Sequence, residues 1–354
     1  MKKQLWLVGF IFLFLSLSRQ NVFAADTSSP AIRLNDTQLE TNAVVEEGYL
    51  YLPVRAIGES LGYDVSWSQK DQSLTISSKD KVISLDFEES KILVNDHDTY
   101  LSDNPVVIND MPFMKADFFS DNLDLKVQWD KEKNIVLLSG IKENAITINT
   151  IKTASETRAL KSTIQYPVIG GLDNQEVQDK INAIFKQLAD DAAQQGIENA
   201  ADLAPSVLQF PDMPGQCETY FNYQIKYNQN DVISLVFQNY QYAGGAHGGT
   251  LQLAYTINLK TGEQYTLKEL FKENTDYVSI FSDSVKTQLA ERDLTSVLFE
   301  PFNKINENQS YYLSNNGVVV YYQQYEILPY AAGIQEFTVD YSSLNKLFKK
   351  PDIS

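Results

Sequence analysis

Cysteine and histidine are almost missing from this 354-residue sequence, which holds one of the first, Cys217, and two of the second, His97 and His247. A lone thiol excludes an intrachain disulfide framework and any multi-thiolate metal centre. Two imidazoles exclude any site that must draw three histidines from this chain. Basic side chains are also short, 29 against 46 acidic ones, for a formal charge of −17. A field of that sign repels phosphate backbones and anionic headgroups, so nucleic acid is the least favoured partner. Long apolar runs are absent after the N-terminus, where nothing approaches the ~18 uninterrupted apolar residues of a membrane span. What is present, 43% apolar and 21% charged, is an ordinary globular balance with room for two or three domains of roughly 100 to 200 residues.

The N-terminus reads as an address. Lys2 and Lys3 precede an uncharged run from Leu5 to Leu17, and Val22-Phe23-Ala24 offers small or aliphatic residues for cleavage before Ala25. That run is too short for a comfortable span and fits a signal peptide over residues 1–24. Removing Lys2, Lys3 and Arg19 leaves 26 basic against 46 acidic side chains, or −20. The expected location is secreted or wall-associated, with no membrane contact after cleavage.

A repeat follows at an offset of 62 residues, pairing Leu52 with Met114, Ile57 with Phe119, Leu61 with Leu123, Val65 with Val127 and Trp67 with Trp129. Each copy predicts a short strand, an amphipathic helix and a hairpin opened by Val-x-Trp. The motif Leu52-Pro53-Val54-Arg55-Ala56, then Leu61-Gly62-Tyr63 and Val65-Ser66-Trp67, resembles the copper amine oxidase N-terminal-like domain found on Gram-positive surface proteins, over residues 31–140. The second copy departs, with Lys115 and Asp117 where Pro53 and Arg55 stand. A copper amine oxidase uses three histidine ligands, whereas this region has only His97, so neither metal nor cofactor is expected. Asn95-Asp96-His97-Asp98 reads as a solvated turn, and the domain as a spacer or attachment module.

Beyond a boundary near Gly140 to Ala145, residues 141–160 show little apolar periodicity. A strand over Ser162–Ile169 and a helix capped by Asp173 or Asn174, with Val177, Ile181, Ile184 and Leu188 facing a core, come next. Strands are predicted over Tyr220–Tyr227, Val232–Tyr240, Leu251–Leu259, Val318–Tyr325 and Glu336–Asp340, with helices over Leu267–Phe271, Asp276–Leu289 and Tyr341–Phe348. Fourteen of the 20 tyrosines lie between Tyr220 and Tyr330. They suit a contact face or simply half-exposed strands. The predicted class is α+β, a duplicated strand-helix-hairpin domain followed by a two-part module (150–240 and 241–348) with an antiparallel sheet.

Two segments stand out. Tyr242-Ala243-Gly244-Gly245-Ala246-His247-Gly248-Gly249-Thr250 sets four glycines around one histidine; no nucleophile adjoins His247, and no Lys-Ser or Lys-Thr pair follows to make a phosphate loop. Tyr325-Glu326-Ile327-Leu328-Pro329-Tyr330 is a loop at a strand end. With Asn258-Leu259-Lys260-Thr261-Gly262, these segments resemble the RsiV-like, PdaC-type pair of extracytoplasmic domains. The resemblance implies a cell-surface α+β module and, for RsiV, lysozyme binding. Only three residues precede the apolar signal, which argues against an anti-sigma role, and the chain lacks the histidines of a deacetylase metal site. The expectation is a non-catalytic exported binding protein for a lysozyme-like protein or a wall polymer, with Gly244, Gly245, His247, Pro329 and Tyr330 as ligand-binding candidates. The alternatives are a polysaccharide-active enzyme using carboxylates such as Glu326 and Glu336, or a structural wall spacer.

Overall fold

The computed structural model describes residues 29–349, apart from 47, 80, 89–90, 96, 101–104 and 210–215. The expected export signal lies outside the described residues. The first copy of the repeat follows β1 (Ala31–Leu34), β2 (Thr37–Asn42) and β3 (Val44–Glu46) with β4 (Tyr49–Pro53), α1 (Val54–Ser60), β5 (Asp64–Ser68) and β6 (Ser73–Ser77). Strands β7 (Val82–Asp86), β8 (Lys91–Val94) and β9 (His97–Tyr100) extend that hairpin into a five-stranded sheet. The second copy runs β10 (Val106–Ile108), β11 (Met111–Lys115), α2 (Ala116–Asn122), β12 (Leu125–Asp130) and β13 (Ile135–Gly140).

The copies meet about a local twofold. Strands β4 and β11 pair antiparallel with Leu52 opposite Met114, the very residues the 62-residue offset equates, and both are fully buried. Ile57 and Phe119, from the two helices, sit in the same core. The second copy's sheet is completed by the start of the chain, as β1 pairs parallel with β13 and antiparallel with β2. Arg55 explains one departure between the copies: its guanidinium donates to the Val65 carbonyl and ties α1 to β5, a bond Asp117 cannot make. Gly62, left-handed at φ 85° where α1 ends, is replaced by Asp124 at φ 53°, one of the few residue types that tolerates that region. Trp67 and Trp129 also match, each burying an indole N–H without a hydrogen-bond partner among the described residues.

The remainder begins with β14 (Thr147–Glu156), β15 (Leu160–Gly170), α3 (Gln175–Gln209), β16 (Cys217–Gln229), β17 (Val232–Tyr242) and β18 (Gly249–Asn258). Their five strands form one sheet in that order, antiparallel except between β15 and β16. Strand β14 was not expected. It is an edge strand exposed on both faces from Ile151 onward, so it carries no burial-driven alternation. Asn174 caps α3, its Oδ1 accepting from the Glu176 and Val177 N–H groups. Cys217 is buried, and burial pushes its thiol up.

Helix α4 (Tyr277–Glu291), β19 (Tyr311–Leu313), β20 (Gly317–Tyr322), β21 (Gln335–Asp340) and α5 (Tyr341–Leu344) complete the chain, the three strands forming an antiparallel sheet. Period-two alternation sorts the layers. Ile233, Leu235 and Phe237 of β17 pack with Phe185 of α3, while Val236 of the same strand packs with Val319 and Tyr321 of β20. Val318, Val320 and Tyr322 turn the other way, onto Phe281 and Val285 of α4. The layers are therefore helix, sheet, sheet, helix in an α+β fold. Among the described residues no helix is long and apolar enough to cross a membrane.

The duplicated domain docks on this module. Lys226 of β16 pairs with Asp121 of α2 at 2.6 Å, Asn315 and Asn316 donate to the Ser120 carbonyl and hydroxyl, and Asn316 Oδ1 accepts from the Val127 N–H. The solvated-turn reading of His97 is corrected here. It opens β9, stacks on Tyr223 at 4.3 Å, and hydrogen bonds Asn222 at 2.7 Å; partners 125 residues away left no local signal.

Candidate functional site

The glycine-rich segment connects β17 to β18, and three of its glycines are structurally required. Gly244 and Gly245 adopt φ of 92° and 94°, accessible to glycine and strained for other residues. At Gly248 an added Cβ would lie 2.5 Å from the Tyr240 phenol, so the backbone rests directly on that ring. Tyr242 donates to the Gly245 carbonyl and closes the bend.

The second segment connects β20 to β21 and is held against β18 by side-chain amides. Gln324 Oε1 accepts from the Thr250 N–H, Gln323 Oε1 from the Gln252 N–H, and Gln323 Nε2 donates back to the Gln252 carbonyl. Two glutamines thus stand in for a further strand on the open edge of β18. They carry Tyr325, Pro329 and Tyr330 to the glycine bend. Strand β20 ends at Tyr322, three residues before its expected end, because Gln323 and Gln324 turn aside to make these bonds.

At the junction His247 and Tyr330 stack with centroids 3.9 Å apart and planes 20° from parallel. Tyr325 adjoins both rings, 5.5 Å from Tyr330 and 6.4 Å from His247. The Gly248 carbonyl accepts from Tyr330 Oη at 3.0 Å and from His247 Nδ1 at 2.9 Å. A carbonyl has no proton to give, so Nδ1 carries the hydrogen and the neutral ring's Nε2 is an acceptor. Tyr325 Oη lies 3.4 Å from that Nε2. Burial, helped by Glu218, raises the pKa of Tyr240 beneath.

This arrangement forms an aromatic platform. His247 is exposed, its Nδ1 is committed to backbone, and the hydroxyl that approaches its Nε2 is that of Tyr325. Tyr325 is 55% exposed at φ 65°, a strained setting for an aromatic residue and one that marks functional positions. Nearby, Phe299 is 52% exposed and its N–H bonds the Ile327 carbonyl, with Glu300 and Glu326 exposed beside them. Rigid aromatic rings with an acidic border give contact area at low entropic cost.

All five candidates therefore gather at one place: Gly244 and Gly245 shape the bend, His247 and Tyr330 stack, and exposed Pro329 opens the turn bearing Tyr330. Tyr325, Tyr240 and Phe299 were missed as site residues, since a positive φ and a ring beneath a loop leave no trace in spacing. Glu326 and Glu336 part company. Glu326 accepts from the Gln323 N–H on the surface, whereas Glu336 accepts from Gln252 Nε2 and faces the duplicated domain. Among the described residues no three His, Cys, Asp or Glu side chains gather closely enough to hold a metal ion.

Three family descriptions match in succession: copper amine oxidase N-terminal domain over residues 33–138, deacetylase PdaC over 153–250, and protein of unknown function (DUF3298) over 268–342. A region similar to the copper amine oxidase N-terminal domain is thus followed by regions similar to PdaC and DUF3298, an RsiV/PdaC-like architecture. Anti-sigma-V factor RsiV of Bacillus subtilis (strain 168) is 24% identical over 213 residues, covering 57% of this chain and 70% of RsiV. The peptidoglycan-N-acetylmuramic acid deacetylase PdaC of the same organism is 24% identical over 138 residues, covering 38% of this chain and only 30% of PdaC. A solved structure of a DUF3298 family member from Bacteroides fragilis aligns over 59% of this chain and 96% of its own, with 17% identity and a TM-score of 0.47. The stacked rings straddle the pair, His247 falling in the PdaC match and Tyr330 in the DUF3298 match.

Proposed function

We propose that this chain is an exported, non-catalytic binding protein that captures a cationic protein, lysozyme being the candidate, on the face made by the glycine bend and the Pro329-Tyr330 loop. The observation that carries this reading is the stack of exposed His247 on half-buried Tyr330, held by one shared carbonyl and flanked by exposed Tyr325. A platform so fixed before contact loses little freedom on binding. The charge of −20 over residues 25–354 and the acidic border steer a basic partner toward it. The RsiV-like architecture supports the same reading, and the duplicated domain serves as spacer or attachment module.

Calorimetric titration of residues 25–354 with lysozyme, and separately with soluble wall fragments while released sugars are measured, tests it. The expected result is saturable lysozyme binding that weakens at least tenfold in Tyr330→Ala. Bond cleavage in wall fragments would sink the proposal in favour of an enzyme, and no saturable heat with lysozyme would remove the named ligand.

A further inference from the structure

The duplicated domain meets the module at a seam along β16, and the two edges of the five-stranded sheet are left to other devices. At one edge, β18 is covered by the amides of Gln323 and Gln324. At the other, β14 ends the strand order. Natural edges are blunted by shortness, proline, a bulge or clustered charge, since their unpaired N–H and C=O groups template a further strand. Strand β14 has ten residues, Thr147–Glu156, with no proline and two charges of opposite sign, Lys152 and Glu156. Its ladder with β15 runs from Thr147 opposite Gly170 to Glu156 opposite Lys161, without the register shifts seen in β1–β2 and β16–β17. From Ile151 onward both of its faces are exposed, Ile151 itself by 41%.

Two kinds of strand can pair there, and the side chains choose between them. A site that reads an extended peptide adds pockets for its alternate side chains, and the exposure of both faces of β14 leaves no walls to make them. A loose peptide also gives up its backbone freedom on binding. A second β14 arrives already ordered by its own β15. Symmetry then fixes the register. A twofold normal to the sheet sets one residue opposite its own copy, because opposed residues share a face. In a strand of ten residues the longest such ladders are centred on Ile151 or on Lys152. The second sets one ammonium against its copy, which is destabilising. Centred on Ile151, the ladder runs from Thr147 to Ser155, with Thr150 opposite Lys152, Asn149 opposite Thr153 and Ile148 opposite Ala154. No like charges then face each other.

We infer that β14 is where two copies of this chain join, edge to edge and antiparallel about Ile151, so that their five-stranded sheets become one continuous sheet. The charges within the strand cancel, so the −20 carried by residues 25–354 is not focused on the ladder. The proposed capture face lies beside β18, at the far edge of each sheet. Each copy therefore keeps its own, and the pair is bivalent.

Sedimentation of residues 25–354 in about 0.15 M salt, where exposed charges more than ~8 Å apart are screened, tests it. The mass should double as concentration rises to about 1 mM, a range in which even weak pairing shows. Ile151→Lys, which sets like charges opposite each other at an exposed position, should weaken the pairing at least tenfold. Ile151→Cys should form an interchain disulfide on mild oxidation, because opposed Cα atoms stand about 4.5–5.5 Å apart, within the reach of a disulfide. Ser155→Cys, opposite Thr147, should not, and Cys217 is buried and does not compete. Tyr330→Ala should leave the pairing unchanged, so this inference and the proposed function fail separately. A chain that stays monomeric at every concentration would leave the edge to some other strand and overturn the inference. So would pairing untouched by Ile151→Lys, cross-linking through Ser155→Cys as readily as through Ile151→Cys, or loss of pairing in Tyr330→Ala.

Discussion

The two histidines build nearly the same object in opposite places. His97 stacks on Tyr223 at 4.3 Å and 14°, and His247 on Tyr330 at 3.9 Å and 20°. The first joins strands of two domains, and its Nε2–H donates to Asn222 Oδ1, which also accepts from the Tyr223 N–H. The second joins two loops, with its hydrogen bond turned to backbone, its imidazole exposed and Tyr330 half-buried. A histidine–tyrosine stack is therefore no functional signature by itself. What surrounds it decides whether it fastens the molecule or faces a partner.

The largest expected effect lies at the seam, where Lys226 and Asp121 are 13% and 21% exposed. Lys226→Met strands Asp121 among Glu336 and Asp117, and losing one partner of a buried pair costs about 3 kcal/mol. Urea unfolding should show that loss while lysozyme affinity holds. The pH dependence follows in sign. Because the folded Lys226 pKa is raised, its contribution is complete below the ordinary lysine value of ~10.4 and is lost as pH rises through the folded value. Alkaline titration should weaken the wild type more steeply than Lys226→Met; equal slopes would break the claim that the seam is fastened electrostatically.

The proposed capture face should respond the other way. His247→Ala removes an exposed ring, so stability is expected to stay within about 0.5 kcal/mol. Lysozyme affinity should fall at least tenfold, about 1.4 kcal/mol. A destabilised variant with intact affinity would make His247 a fastener like His97.

The difference between the regions also governs what could be read in advance. The 62-residue offset was visible because buried positions repeat, and Leu52 and Met114 repeat in the strongest sense by pairing with each other. The two segments of the proposed capture face were legible as unusual composition, the glycines reflecting φ of 92° and 94° and a backbone lying on Tyr240. Their meeting was not legible, since it rests on Gln323 and Gln324 bonding β18 some 70 residues away. The seam was invisible for the same reason: His97, Asp121 and Lys226 carry no periodicity, and their partners lie across a domain boundary. Strand β14 escaped because exposed edges need no apolar alternation.

His97→Ala should cost about 1 kcal/mol, the scale of an aromatic pair. The Asn222 oxygen keeps the Tyr223 N–H and is not left bare. A lower urea midpoint with unchanged lysozyme affinity keeps the two stacks distinct, and a matching fall in capture would merge them.

The smallest effect has the most telling sign. Tyr325 holds φ 65°, where a Cβ meets the carbonyl at a cost of roughly 1 kcal/mol that asparagine largely escapes. Tyr325→Asn gives up the ring contact with Tyr330 at 5.5 Å, which is partly exposed and weakens the gain. The expected balance is a stabilisation of about 0.5 kcal/mol together with weaker lysozyme binding. Fasteners lose stability when removed, whereas a residue kept for a partner at the expense of local strain gives stability back. Lower stability with full affinity in Tyr325→Asn would place Tyr325 with the seam.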